Sequence, residues 1–163
     1  MKNILIAYYS WSGNTRSIAE QIHGLVGGTF FEIQPVKPYP KGYNACVNQA
    51  KKEIKAGHRP PLVAMCANME SYDVIFVGSP NWWSTIAPPV ATFLDSTSLS
   101  GKIVAPFCSH GGGGAGRVES DIAKLCPTSV MREGLFVYGR GATDIQPKIA
   151  AWVQEVMESS PTL

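Results

Sequence analysis

Ser10-Trp11-Ser12-Gly13-Asn14-Thr15 gathers hydroxyls, an amide and a glycine within six positions. Just before it, Lys2 to Tyr9 is almost wholly apolar; just after it, Thr15 to Val26 sets its apolar residues at helical spacing. The motif therefore falls where a strand gives way to a helix. A helix start leaves backbone N–H groups unpaired and carries the positive end of the helix dipole. Hydroxyls and a glycine there let the N–H groups close around a phosphate, so the loop reads as a cradle for the phosphate of a nucleotide-like cofactor. The plainer alternative is that Ser12, Asn14 or Thr15 only caps the helix. Four hydrogen-bonding side chains together with Gly13 favour a site. The P-loop pattern G-x-x-x-x-G-K-[ST] is absent, which argues against nucleoside triphosphate hydrolysis.

Two further stretches carry chemistry. Gly78-Ser79-Pro80-Asn81-Trp82-Trp83-Ser84 places adjacent tryptophans in a loop that continues to Pro88-Pro89. An indole offers a broad flat face suited to a flat ring, although one of the two is expected to fill space beneath the loop. Ser109-His110-Gly111-Gly112-Gly113-Gly114 opens a glycine-rich loop whose backbone can approach a ligand closely. Its N–H groups suit the carbonyl and nitrogen edge of a ring. None of the three loops contains a carboxylate, so the combined site is expected to be neutral apart from any proton on His110.

The elements that must position these loops follow from periodicity. Strands are expected at Lys2–Tyr9, Thr29–Gln34, Asp73–Val77, Lys102–Cys108 and within Val130–Tyr138, starting at Leu135. Helices are expected at Thr15–Val26, Tyr43–Ala56, Pro88–Leu94 and Val118–Leu125, with a last one carrying Ile145, Ile149, Trp152, Val153 and Val156 inward. Leu62 to Ser71 reads as loop with a short turn. Strands and helices alternate, which implies right-handed crossovers and a parallel sheet, an α/β fold whose three loops share one carboxyl edge. The 163 residues are read as a single domain, 1–163.

Composition narrows the partners. A net charge of +2, with no Lys/Arg cluster interleaved with aromatics, gives no reason to expect nucleic acid. No apolar run reaches membrane-spanning length, so no membrane is expected, and the N-terminus is read as the first strand rather than a signal peptide. Cys46, Cys66, Cys108 and Cys126 show no metal-ligand or redox spacing; free thiols, no metal and a reducing, cytoplasmic compartment are expected. Two formal matches and one rival architecture are set aside. Gly111 to Gly116 fits G-x-G-x-x-G but follows the fourth strand rather than the first. Cys126 and Arg132 fit C-x5-R, but the cysteine ends a helix, whereas that chemistry needs a thiol at a helix start. A phosphoacceptor receiver domain would need carboxylates where Tyr8-Tyr9-Ser10 and Gly78-Ser79-Pro80 stand.

With these residues assembled, the chain resembles the flavodoxin-like FMN-binding family, and within it a short-chain group. Ser10-Trp11-Ser12-Gly13-Asn14-Thr15 is similar to the flavodoxin phosphate signature T/S-x-T/S-G-N-T. Tyr39-Pro40, Tyr72 to Gly78, Pro80-Asn81-Trp82-Trp83, Gly101-Lys102 and Pro106-Phe107 are blocks shared with the short group. The resemblance implies a flavodoxin-like three-layer sandwich around a five-stranded parallel sheet of order 2-1-3-4-5, with FMN at its carboxyl edge. Ser10, Ser12, Gly13, Asn14 and Thr15 would hold the phosphate. Pro80, Asn81, Trp82 and Trp83 would border the isoalloxazine ring, and Ser109, His110, Gly111, Gly112 and Gly113 would close the other side. The chain departs from the family in three ways: its third loop has no tyrosine to stack on a flavin, Trp83 stands where a small residue is common, and its isoelectric point is 8.3 rather than acidic. The usual Thr-His-Glu-Gly-Ser of the short group is here Ser109-His110-Gly111-Gly112-Gly113.

The implied function is electron transfer to a redox partner protein. The alternative is an NAD(P)H-dependent reductase of quinones or similar flat aromatic acceptors. That enzyme would need a second flat pocket over the flavin, of the kind a neighbouring subunit of a homodimer completes; His110 would either donate a proton to the acceptor or anchor the loop backbone.

Overall fold

A computed structural model describes residues 2–158. In chain order the elements are β1 (Ile4–Tyr8), α1 (Asn14–Val26), β2 (Thr29–Glu32), α2 (Tyr43–Ala56), a 3-10 turn (Met69–Ser71), β3 (Val74–Trp82), β4 (Thr85–Ile86), α3 (Pro88–Asp95), β5 (Ile103–His110), α4 (Val118–Leu125), β6 (Val130–Met131), β7 (Leu135–Tyr138) and α5 (Ile145–Glu158).

The parallel sheet runs β2-β1-β3-β5, with β6 and β7 sharing the outer edge of β5. The spatial order 2-1-3-4-5 stands, but seven strands replace the expected five. Two causes account for the difference. The fifth position is broken: β6 pairs at Ile103 and Val104, and β7 only from Phe107 onward. Val104 accepts the Arg132 N–H on that side, and backbone groups alternate sides along a strand. Pro106 therefore faces the same edge without an N–H to give, and the ladder lapses there. The second cause is β4, which folds back antiparallel on β3 through Asn81↔Ile86 and Trp82↔Thr85.

That hairpin also corrects two boundaries. β3 does not dissolve into a loop at Gly78; it keeps pairing with β5 as far as Pro80↔Ser109. Likewise β5 continues through Ser109 and His110, which belong to a strand end rather than to the loop. The connecting turn is Trp83-Ser84, both at positive φ (55° and 67°), as a tight two-residue hairpin requires. Neither residue favours that region, so the turn holds local strain at the edge where the loops meet.

Alternation along the buried strands divides the core in two. Leu5, Ala7, Ile75 and Val77 point towards Val90, Phe93 and Leu94 of α3 and Val118 and Ile122 of α4. Ile4, Ile6, Val74 and Phe76 point towards Ile18 and Ile22 of α1 and Ile149, Trp152 and Val153 of α5. Coverage on both faces is why these strands read as continuous apolar runs. Tight packing shows at Gly78: a Cβ there would come within 2.2 Å of the fully buried Phe107 ring.

Burial leaves a pH signature. It lifts the Cys108 thiol from 9.0 to about 12 and Cys126 to about 11, and it is the largest cause lifting the Tyr8 phenol from 10.0 to about 12. The folded chain thus keeps protons that the unfolded chain releases, and stability falls as pH rises from about 9 towards 12. Urea midpoints are expected to be steady from pH 7 to 8.5 and to drop progressively above pH 9.5; a flat profile to pH 11 would contradict this.

Candidate functional site

At the end of β1 the chain turns sharply. The Gly13 N–H donates to Ser10 Oγ at 3.1 Å, and Gly13 itself takes φ 98°, a left-handed conformation that glycine adopts without strain. α1 then starts at Asn14, one residue earlier than expected. No side chain caps it, and no acidic residue lies in its first turn. The plain capping role for Ser12, Asn14 or Thr15 is therefore not what is seen. The first-turn N–H groups have no carbonyl within the helix to bond, which leaves an anion-ready end. Trp11 donates its indole N–H to the Pro40 carbonyl at 3.1 Å, which fixes its ring at the edge of the loop beside Tyr43. Thr15 is buried, its hydroxyl bonded to that of Ser109 at 2.7 Å, which ties the first loop to the end of β5.

The hairpin supplies the second wall. Asn81 Nδ2 donates to the Gly114 carbonyl at 2.8 Å, locking the end of β3 to the glycine-rich loop. Trp82 is half-buried and stands edge-on to Tyr9 (5.5 Å, 86°) and Tyr39 (4.8 Å, 83°). Tyr39 is in turn fixed by donating its hydroxyl to Glu53 Oε1 at 2.6 Å. Trp83 is strapped sideways onto α2: its indole N–H donates to the Val47 carbonyl at 3.0 Å, and Lys51 Nζ lies 5.1 Å from its ring centre. One tryptophan is thus anchored in the core and the other on a neighbouring helix.

His110 closes the far side. Its Nδ1 accepts the Gly112 N–H at 3.1 Å, so the neutral ring carries its proton on Nε2. The Arg117 N–H donates to the Ser84 carbonyl at 2.6 Å, holding the glycine-rich loop against the hairpin.

These parts surround a cleft of about 570 Å³ at the carboxyl edge of the sheet. From the first loop, Trp11, Ser12 and Asn14 line it. From the hairpin, Pro80, Asn81, Trp82 and Trp83 do, and from the third segment Ser109, His110 and Gly111. Ser10, Gly13, Thr15, Gly112 and Gly113 are not in its lining; Ser10, Gly13 and Gly112 make the turn bonds just described, and Thr15 is buried behind. No carboxylate lines the cleft, so its walls are as neutral as the loops suggested. Among the described residues no group of three His, Cys, Asp or Glu is placed to hold a metal.

A family model described as flavodoxin matches residues 3–156. The chain belongs to the flavodoxin family. A Bacteroides eggerthii protein assigned as a flavoprotein is 31% identical, with a TM-score of 0.85 over 98% of this chain and 100% of that one. A Lactobacillus acidophilus flavoprotein solved in complex with FMN is 23% identical, with a TM-score of 0.74 over 93% and 99% of the two chains. In sequence, an NAD(P)H dehydrogenase (quinone) of Paraburkholderia phymatum is 29% identical over 85% of this chain and 71% of its own length. The protein of the same name from Cupriavidus metallidurans is 31% identical over 69% of this chain, and that match spans only 60% of the relative.

FMN is the cofactor of the flavodoxin family, and the residues present fit it. The uncapped start of α1 suits a phosphate, and the neutral cleft with Trp82 in its wall suits a flat ring. This flavodoxin-family site also contains groups that the sequence reading missed. Tyr138 stands edge-on to His110 at 5.9 Å, so a tyrosine does flank the third loop, contributed by the end of β7. Tyr43, Cys46 and Val47 of α2 form a further wall. Arg140, in the turn after β7, donates from Nε to Asn14 Oδ1 at 3.3 Å and brings a cation to a loop expected to have none. The signal for the β7 groups was available: Tyr138-Gly139-Arg140-Gly141 follows the last strand at the same carboxyl edge as the other loops. No such signal marks the α2 wall, because only the fold brings that helix to the cleft. Among the described residues no helix is long and apolar enough to cross a membrane.

Proposed function

We propose that the cleft holds FMN and that the protein carries electrons between redox partners. The observation that carries this reading is the convergence of an anion-ready helix start and an aromatic, carboxylate-free wall in one open cleft. Bound FMN supplies one- and two-electron chemistry. The N–H groups of Asn14 and Thr15, with the hydroxyls of Ser10 and Ser12, take the phosphate; Gly13 gives the turn its shape, and Thr15 braces the loop through Ser109. Pro80, Asn81, Trp82 and Trp83 border the ring on one side. Ser109, His110 and Gly111 would border it on the other, with Gly112 and Gly113 shaping the loop behind them. The Asn81–Gly114 bond keeps these two walls at fixed spacing. Exposed Tyr43, Trp83 and Tyr138, at 70%, 46% and 69%, rim the mouth and suit contact with a docking protein.

A second reading is an NAD(P)H-dependent reductase of quinones, favoured by the names of the sequence relatives. The Nε2–H of His110 would then be the proton donor at the cleft, acting on an acceptor seated over the ring. Stopped-flow mixing of FMN-loaded protein with NADPH separates the two. The carrier reading expects no flavin bleaching within seconds; rapid bleaching followed by reoxidation with a soluble quinone would replace it with the reductase reading.

A further inference from the structure

Arg140 sits where a cation is electrostatically disfavoured. The N-terminal end of α1 carries positive partial charge, and its first-turn N–H groups have no helical partner. Arg16, Arg59 and Arg117 each lie against a carboxylate. Arg140 instead bonds the neutral amide of Asn14, and its Nη2 lies 3.8 Å from the point that a Cβ on Gly13 would occupy. The turn that presents it is closed by backbone bonds, from the Gly139 N–H to the His110 carbonyl (2.8 Å) and from the Gly141 N–H to the Tyr138 carbonyl (3.0 Å). Arg140 is exposed, and a guanidinium beside a helix start gains most when an anion lies between them.

We propose that Arg140 is a phosphate-binding cation of this site, that Asn14 positions it, and that the pair makes the chain select FMN over unphosphorylated riboflavin. The inference rests on the FMN reading and deepens it. With Nε engaged by Asn14, the Nη donors of the guanidinium remain for phosphate oxygens. A phosphate monoester carries close to two negative charges at neutral pH, so the contact is charge-assisted. Riboflavin has the same ring and ribityl chain and lacks only the group that Arg140 addresses. The three segments identified from the sequence would then be joined by a fourth, reaching the phosphate from the far edge of the sheet.

Titrating the apo-protein with FMN and with riboflavin, read by flavin fluorescence, tests this. R140Q is expected to raise the Kd for FMN about tenfold while leaving that for riboflavin within about twofold. R140K should recover part of the loss. FMN affinity of the wild type should fall with added salt, more steeply than that of R140Q. In a double-mutant cycle, N14A should lose less FMN affinity in the R140Q background than alone. An R140Q chain that kept full FMN affinity, or lost FMN and riboflavin alike, would overturn the proposal. A wild-type chain that bound neither flavin would instead overturn the cofactor reading beneath it.

Discussion

Replacing Trp82 by alanine is expected to weaken FMN binding about thirtyfold and to lower folding stability by about 2 kcal/mol. Both effects come from one side chain in two roles. Trp82 packs edge-on against Tyr9 and Tyr39, so truncation leaves a gap beneath the hairpin. It also lines the cleft, where loss of an aromatic face removes a stacking contact of about 1–3 kcal/mol. The stability loss is below that of a fully buried tryptophan because the residue is only half-buried. Trp82→Phe should retain most of both properties. Fluorescence titration and urea unfolding separate the two, and a W82A chain with unchanged flavin affinity would remove Trp82 from the site.

Gly78→Ala is expected to cost about 3 kcal/mol, a methyl group with an effect comparable to a large core truncation. The added Cβ would stand 2.2 Å from Cζ of Phe107 and 2.3 Å from Cε2. That ring is fully buried, and it belongs to the residue paired with Gly78 across β3 and β5. It has nowhere to swing, so the two strands must part. For a chain of this length the melting temperature should fall by about 9 °C. Shortening the ring relieves the clash, so G78A/F107L should be more stable than the sum of the single effects predicts, a coupling readable by calorimetry. Simple additivity would show that the two side chains do not meet.

Most of the fold was legible because both sheet faces are covered. Burial on both sides turns β1 and the first half of β3 into unbroken apolar runs, and α2 and α4 begin and end at the expected residues. The turn at the end of β1 and the helix start after it were legible because their residues are contiguous. What escaped depends on contacts distant in sequence or on local geometry without a sequence mark. The Trp83-Ser84 turn carries no Asn-Gly or Asp-Gly signal, so the continuation of β3 into a hairpin was hidden. The split of the fifth strand is caused by Pro106 on a different strand. Arg140 reaches Asn14 across 126 positions, and no periodicity in either segment points to the other. Tyr138 escaped for a related reason: a tyrosine was sought in the third loop itself, whereas the adjacent strand brings one to the cleft.

The central claim is that one carboxylate-free cleft, floored by the sheet edge and opened by the start of α1, retains FMN. Passing the FMN-saturated protein through a desalting column and recording its visible spectrum tests this most directly. The account predicts a yellow protein fraction with close to one flavin per chain. A colourless protein fraction, with all the flavin eluting among the small molecules, would contradict it.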